Sequence, residues 1–214
     1  GNSLGASTNA IETAIATLSI HVNGSNGINV IEDNALTIGN VISLNDSATS
    51  ATVQTVNRDA TTTKNDEARQ SDVQTTATLP LVNGSNGSIV IKTEAGTLTL
   101  NEGLYPTNEA AVTAQGSGNI LLWAAGAGTD IIAQADADIE TATGHITLSA
   151  ARTIDLGALV DITTAALGTI DLFAGTGSLL STPTSTINTV NGDIRITVGD
   201  DVTDQVQLGD LTAS

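Results

Sequence analysis

The chain has 214 residues and a formal net charge of −17, with six basic and 23 acidic side chains. The absence of Cys excludes disulfides, thiolate metal sites and a cysteine nucleophile, and the shortage of basic residues argues against binding to a phosphate backbone. Aromatic residues make up 1% of the chain, which leaves little on which sugars, bases or a flat cofactor stack, yet 40% of the residues are hydrophobic, unlike a disordered acidic chain.

The first residues, 1–5, contain no charged region followed by a hydrophobic one, so no signal peptide is predicted there. No apolar run approaches the ~20 residues that a membrane-spanning helix needs. Because the sequence also lacks an initiator Met, we expect residues 1–214 to be one segment of a larger protein. Export signals are then expected to lie outside this segment.

Internal repeats dominate the rest of the chain. The string NGSNG occurs at residues 23–27 and again at 83–87. A second pattern, Gly, any residue and then alternating aliphatic residues, starts at Gly87, Gly118, Gly144, Gly168 and Gly192. The last three starts lie 24 residues apart, and the earlier spacings are 31 and 26 residues. A further coil start at Arg58 would divide the 60 residues between Gly27 and Gly87 into 31 and 29.

Each period holds three short segments of alternating hydrophobic residues, with Gly, Asn, Asp and Ser between them. Alternation places every second side chain inside, and the turn residues bend the chain between segments. We therefore predict an all-β, single-stranded parallel β-helix, right-handed, with about seven coils of roughly 24–31 residues and three short strands each. Aliphatic ladders inside such a tube account for the low aromatic content. A pair of antiparallel β-sandwich modules is the alternative architecture.

Residues 45–78 depart from the repeat. They contain three of the six basic residues, Arg58, Lys64 and Arg69, within long polar runs. This segment is predicted to be either a polar degenerate coil or a protruding insertion, and a coil with a protruding part is the favoured interpretation. Loops on rigid scaffolds often carry recognition, whereas a surface insertion without a role is the alternative.

One acidic cluster is a weak candidate for a metal site. Asp200, Asp201 and Asp204 place three carboxylates within five positions, and calcium needs several converging oxygen ligands. The spacing is not that of an EF-hand loop, so an ordinary solvated turn is the competing interpretation. No other cofactor and no catalytic residue are predicted.

The predicted outer faces of the strands offer little for catalysis. Asp171 and Arg195 occupy equivalent positions in units 24 residues apart, so we expect an ordinary surface ion pair between neighbouring coils. His21 is expected to face solvent. Trp123 is expected to cap or fill a corner of the tube, and an exposed side chain that stacks on sugars is the alternative. Because no acidic pair is flanked by aromatic sugar platforms, we expect a non-enzymatic protein.

Residues 118–124, 144–150 and 152–156 resemble the G-[DS]-I-x-L-x-A…[DR]-I-x-L repeats of filamentous-haemagglutinin-like and other giant β-helical surface exoproteins of Gram-negative bacteria. The resemblance covers residues 84–214 well and the first third loosely. The NPNG and NPNL hallmarks of the two-partner secretion domain are absent, which indicates an internal stalk segment.

The resemblance implies a structural or adhesive rod that is secreted or exposed on the cell surface. Its implied partners are host or neighbouring-cell surfaces, with glycans as one class of ligand, and adjacent coils of the same parent chain. Neither nucleic-acid binding nor membrane insertion is expected. Two alternatives stay open, namely a β-helix that binds or degrades polysaccharides and a calcium-stabilised extender module.

Overall fold

A computed structural model describes residues 3–6, 8–23, 27–39, 51–67, 72–76, 87–103, 110–199 and 201–213. These residues form three parallel sheets of seven strands each and one two-stranded antiparallel sheet. No helix in the described ranges is long and apolar enough to cross a membrane. The predicted parallel β-helix is confirmed, with three strands in each of seven coils, and its right-handedness stays a prediction.

The strands are numbered β1 to β23 in chain order, and each coil contributes one strand to each large sheet. The first sheet contains β1 (Ile11–Thr13), β4 (Ile28–Glu32), β9 (Ile89–Thr93), β12 (Ile120–Ala124), β15 (Ile146–Ala150), β18 (Ile170–Ala174) and β21 (Ile194–Thr197). The second contains β2 (Thr17–Leu18), β5 (Leu36–Ile38), β10 (Leu98–Leu100), β13 (Ile131–Ala133), β16 (Ile154–Leu156), β19 (Leu179–Ser181) and β22 (Val206–Gln207). The third contains β3 (Ile20–Asn23), β8 (Val73–Thr76), β11 (Ala110–Ala114), β14 (Asp138–Thr141), β17 (Asp161–Thr164), β20 (Thr186–Thr189) and β23 (Asp210–Ala213).

The core is a set of aliphatic ladders between the three sheets. In the first sheet, Ile120 pairs in register with Ile146, which pairs with Ile170. All three side chains are buried. Along each of these strands, buried residues alternate with more exposed ones, as the pleat of a strand requires. Burial of each such side chain is worth roughly 1.5–3 kcal/mol, so the repeated aliphatic positions hold the coils together.

Close stacking of backbone explains the glycines that start successive coils. A Cβ atom on Gly144 would overlap the carbonyl oxygen of Gly118, and one on Gly168 would overlap the carbonyl oxygen of Gly144. A Cβ on Gly192 would likewise overlap the carbonyl oxygen of Gly168. Since none of the three has a positive φ, Gly is required here by space rather than by backbone conformation.

Buried threonines tie the end of each later coil to its start. The hydroxyl of Thr141 donates to the Gly118 carbonyl at 2.7 Å, and Thr164 donates to the Gly144 carbonyl at 2.7 Å. Thr189 repeats the contact with Gly168 at 2.6 Å. A polar side chain can therefore occupy an inward position without leaving a buried group unsatisfied.

The second coil carries an insertion. Strands β6 (Ala51–Val56) and β7 (Thr62–Glu67) form an antiparallel hairpin between β5 and β8. Because Ile28 of β4 pairs directly with Ile89 of β9, the described strands β4, β5 and β8 belong to one coil, with no second coil between β4 and β9. The predicted coil start at Arg58 is therefore wrong, since Arg58 lies in the turn of the hairpin. Residues 11–23 supply the first of the seven coils instead.

The segment 45–78 thus combines two kinds of structure. The hairpin pairs with no strand of the three large sheets in the described ranges, whereas β8 pairs with both β3 and β11. Val73 of β8 is fully buried in the core. Residues 45–50, 68–71, 77 and 78 lie outside the described residues.

Candidate functional site

Three carboxylates meet on the outer face of the third sheet. Asp138 and Asp161 precede the paired residues Ile139 and Ile162 on neighbouring strands. The Asp161 backbone N–H donates to Asp138 Oδ1 at 2.7 Å. Glu140 lies two positions beyond Asp138 on the same strand, and therefore on the same face.

The surroundings of Asp138 and Glu140 raise the pKa of both carboxyl groups. Burial raises the pKa of Asp138 to about 7, and the neighbouring charges of Asp161, Glu140 and Asp136 raise it further against the opposing backbone hydrogen bond. Burial and the Asp161 charge also raise the pKa of Glu140. A carboxylic acid that is half protonated near neutral pH can donate a proton or a hydrogen bond, which is what general acid catalysis requires.

This cluster was not predicted from the sequence. Asp138 and Asp161 lie 23 residues apart, close to one coil length, and each directly precedes an inward Ile. That spacing was a visible signal for neighbouring outer positions. A shallow groove of about 220 Å³ lies beside Glu140 and is lined by Thr113, Gln115 and Thr163, among others.

The outer face of the first sheet carries two exposed aromatic residues. Trp123 is 39% exposed and Phe173 is 42% exposed, so the prediction that Trp123 fills a corner of the tube is wrong. Alternation along β12 explains the difference, because Leu122 and Ala124 point inward and the residue between them points outward. The Lys92 ammonium lies 4.4 Å from the centroid of the indole ring.

The predicted ion pair between neighbouring coils is confirmed. Asp171 and Arg195 are register partners in the first sheet. Arg195 Nε donates to Asp171 Oδ1 at 2.8 Å, and its Nη2 donates to Oδ2 at 2.6 Å. This bidentate contact raises the pKa of Arg195. The pair presents both charged groups at the surface of the rod, where solvent screens their attraction.

Both histidines have structural partners. His21 Nε2 lies 2.7 Å from Oδ1 of Asp72, a side chain that is 1% exposed. The expectation that His21 faces solvent did not include this partner, which lies 51 residues further along the chain. His145 Nδ1 accepts a hydrogen bond from the Thr169 N–H at 3.1 Å and thus links two coils.

The weak calcium candidate is only partly described. Asp204 Oδ2 accepts a hydrogen bond from the Asp201 N–H at 3.1 Å, and Asp201 Oδ1 accepts one from the Thr203 N–H at 3.3 Å. Asp200 lies outside the described residues. Within the described part of the chain, no group of three or more acidic or His side chains is placed to hold a metal ion. Asp200, Asp201 and Asp204 stay a weak calcium candidate, and an ordinary solvated turn stays the competing interpretation.

Comparison with known proteins adds no family. No family model, no curated protein and no solved structure matches the chain. The fold therefore defines the class, a parallel β-helix with three sheets. The resemblance to bacterial exoprotein repeats stays an interpretation of the sequence.

Proposed function

We propose that the chain is a non-enzymatic structural and adhesive rod segment of a large bacterial surface or secreted exoprotein. The observation that carries this proposal is the continuous stack of seven coils, with one aliphatic core between three parallel sheets. Each coil contacts mainly its neighbours, so the fold is suited to extension by repetition. Export from a Gram-negative cell would depend on signals outside the segment.

The outer surface of the rod offers positions for side chains that bind a partner. Inward positions specify the stack, which leaves outward positions on all three sheets available for other contacts. The β6–β7 hairpin adds a second surface outside the three large sheets. A net charge of −17 favours solubility and disfavours lateral association between rods.

A polysaccharide-degradation screen tests the non-enzymatic part of the proposal. The chain is incubated with neutral and acidic polysaccharides, and new reducing ends and unsaturated products are measured. We expect no turnover above the buffer control. Sustained product formation that scales with protein concentration would overturn the proposal.

One observation favours a second candidate, a polysaccharide-degrading β-helix. The raised pKa of Asp138, beside Glu140 and Asp161, is suited to a general acid. If the screen detects turnover, Asp138→Asn should abolish it, because the amide cannot transfer a proton. Asp155→Asn is the matched control, since it removes one carboxylate from an outward position of the second sheet.

A further inference from the structure

The two exposed aromatic residues lie in one column along the rod. Trp123 pairs in register with Ser149, and Ser149 pairs with Phe173. The rings therefore project from strands two positions apart, which corresponds to ~9.6 Å at the usual strand spacing of ~4.8 Å. The small Ser149 side chain leaves space between them. This distance is close to the length of two sugar units in an extended glycan.

The indole is held in place by its neighbours. Lys92 is the register partner of Trp123 on β9, and its ammonium lies 4.4 Å from the ring centroid. Lys92 Nζ also lies 2.7 Å from Glu94 Oε1. A cation–π contact of this kind covers one face of the ring and restricts its rotation, while 39% of Trp123 stays exposed.

Polar groups lie beside the aromatic column. Thr147, Asp171 and Arg195 occupy a second outward column of the same sheet, two residues earlier in their strands and ~7 Å away. They line a shallow groove of about 300 Å³. Beyond their mutual hydrogen bonds, the Asp171 carboxylate has further lone pairs and the Arg195 guanidinium has further N–H donors, which can bond to neighbouring hydroxyls of a sugar.

We propose that this outer face of the first sheet binds a neutral, extended glycan. Trp123 and Phe173 stack on two sugar rings separated by one further ring, and the Thr147–Asp171–Arg195 column contacts the hydroxyls. The inference rests on the proposed adhesive function and adds its ligand class.

The net charge of the chain and the small apolar area of this face favour a neutral glycan over a polyanion or a protein partner. A net charge of −17 repels a polyanion, and the local cations Lys92 and Arg195 are already paired with carboxylates. A stable protein partner needs about 800 Å² on each side with an apolar centre. The two rings are instead separated by Ser149 and flanked by polar groups, a pattern suited to a sugar chain with apolar ring faces and polar edges.

Tryptophan fluorescence tests the proposal directly, because Trp123 is the single Trp in the chain. The full chain is titrated with cellohexaose, chitohexaose and maltohexaose. We expect a saturable emission change with at least one of the two straight β-1,4-linked hexasaccharides, and a weaker one with maltohexaose, whose curved chain does not lie along both rings. Phe173→Ala should weaken the binding about fivefold or more, while Phe173→Tyr retains it.

Controls separate binding from folding. Leu180→Ala changes an outward residue of the same coil in the second sheet and should leave the titration unchanged. For Trp123→Ala, which removes the fluorophore, calorimetry measures the loss of binding. Circular dichroism and the melting temperature establish that each variant is folded, as expected for changes on an outer face.

Three results would overturn the proposal. The first is no saturable response to either straight hexasaccharide at millimolar concentration by the folded chain. The second is unchanged affinity in Phe173→Ala. The third is a dimer in sedimentation velocity that Trp123→Ala dissociates, which would assign the face to a second copy of the chain. If one of these results is obtained and cell adhesion still persists in Phe173→Ala, this inference fails and the proposed function stands.

Discussion

Replacement of Asp138 by Asn should stabilise the protein at neutral pH and have little effect at pH 4. The folded state raises the pKa of Asp138 from 3.8 to about 7, so the native protein binds more protons than the unfolded chain between these values. Stability from this group is therefore lost as the pH rises through that window. Asn carries no charge at any pH, and its Oδ1 can still accept the hydrogen bond from the Asp161 N–H.

The size of the expected stabilisation follows from the pKa shift of Asp138. About three pKa units correspond to an upper limit of ~4 kcal/mol. Because Asp138 is only partly buried, solvent screening reduces the expected gain to ~1–2 kcal/mol. For a chain of this size, that gain corresponds to an increase of roughly 2–8 °C in melting temperature at pH 7.5.

Thermal unfolding of the wild type and Asp138→Asn at pH 4, 5.5 and 7.5 measures this effect. Asp155→Asn is the control for net charge, since it removes the same charge from an exposed position, and it should change the melting temperature little at any pH. A loss of stability in Asp138→Asn at pH 7.5, or a gain of equal size at pH 4, would refute the reasoning.

Four further predictions address the stacking of the coils, the insertion, the stability at low pH and the calcium candidate. Gly168→Ala should prevent tight stacking and lower the melting temperature more than Gly128→Ala, where the added Cβ meets no atom within 4 Å and only the positive φ is costly; equal effects would contradict the steric explanation. Replacing residues 51–67 by a Gly-Gly linker should leave the melting temperature within a few degrees, because Ala51 and Glu67 face each other, whereas deleting 45–78 removes buried Val73 and should unfold the second coil. The Arg152 contacts lower the pKa of Asp130 below its ordinary value of 3.8, so the stabilisation that they provide should be lost as the pH falls below that value. Asp130→Asn removes the titrating group, so its melting temperature should decrease less than that of the wild type over this pH range. Melting temperatures in EDTA and in millimolar calcium should agree, and a clear increase with calcium that Asp204→Asn abolishes would favour the extender alternative.

The coils could be predicted because each one repeats a local sequence signal. The Gly-x-Ile pattern at Gly118, Gly144 and Gly168 marks both the close backbone approach and the first inward side chain of the next strand. The same alternation correctly places Asp171 and Arg195 beside each other on the outer face. These features depend on the length of the coil repeat and on the alternation of inward and outward residues along a strand, and both can be recognised in a single sequence.

The features that were missed depend on long-range pairing. Strands β6 and β7 are polar in sequence, and their antiparallel pairing with each other carries no short-range sequence signal of the kind that marks the coils. His21 meets Asp72 across that insertion, 51 residues away. Strict alternation along β12 would have placed Trp123 outward, between inward Leu122 and Ala124, but alternation was not applied to this residue when a corner position was predicted. The raised pKa of Asp138 depends on burial, which only the folded arrangement reveals.

Adhesion under flow is the measurement that tests the central claim most directly. Beads coated with the chain are passed over host-cell and bacterial monolayers, and retained beads are counted against beads coated with albumin. The account predicts severalfold higher retention on at least one surface, reduced in a variant that combines Trp123→Ala and Phe173→Ala. Retention equal to albumin on every surface, by a chain that is folded on the bead, would contradict an adhesive rod.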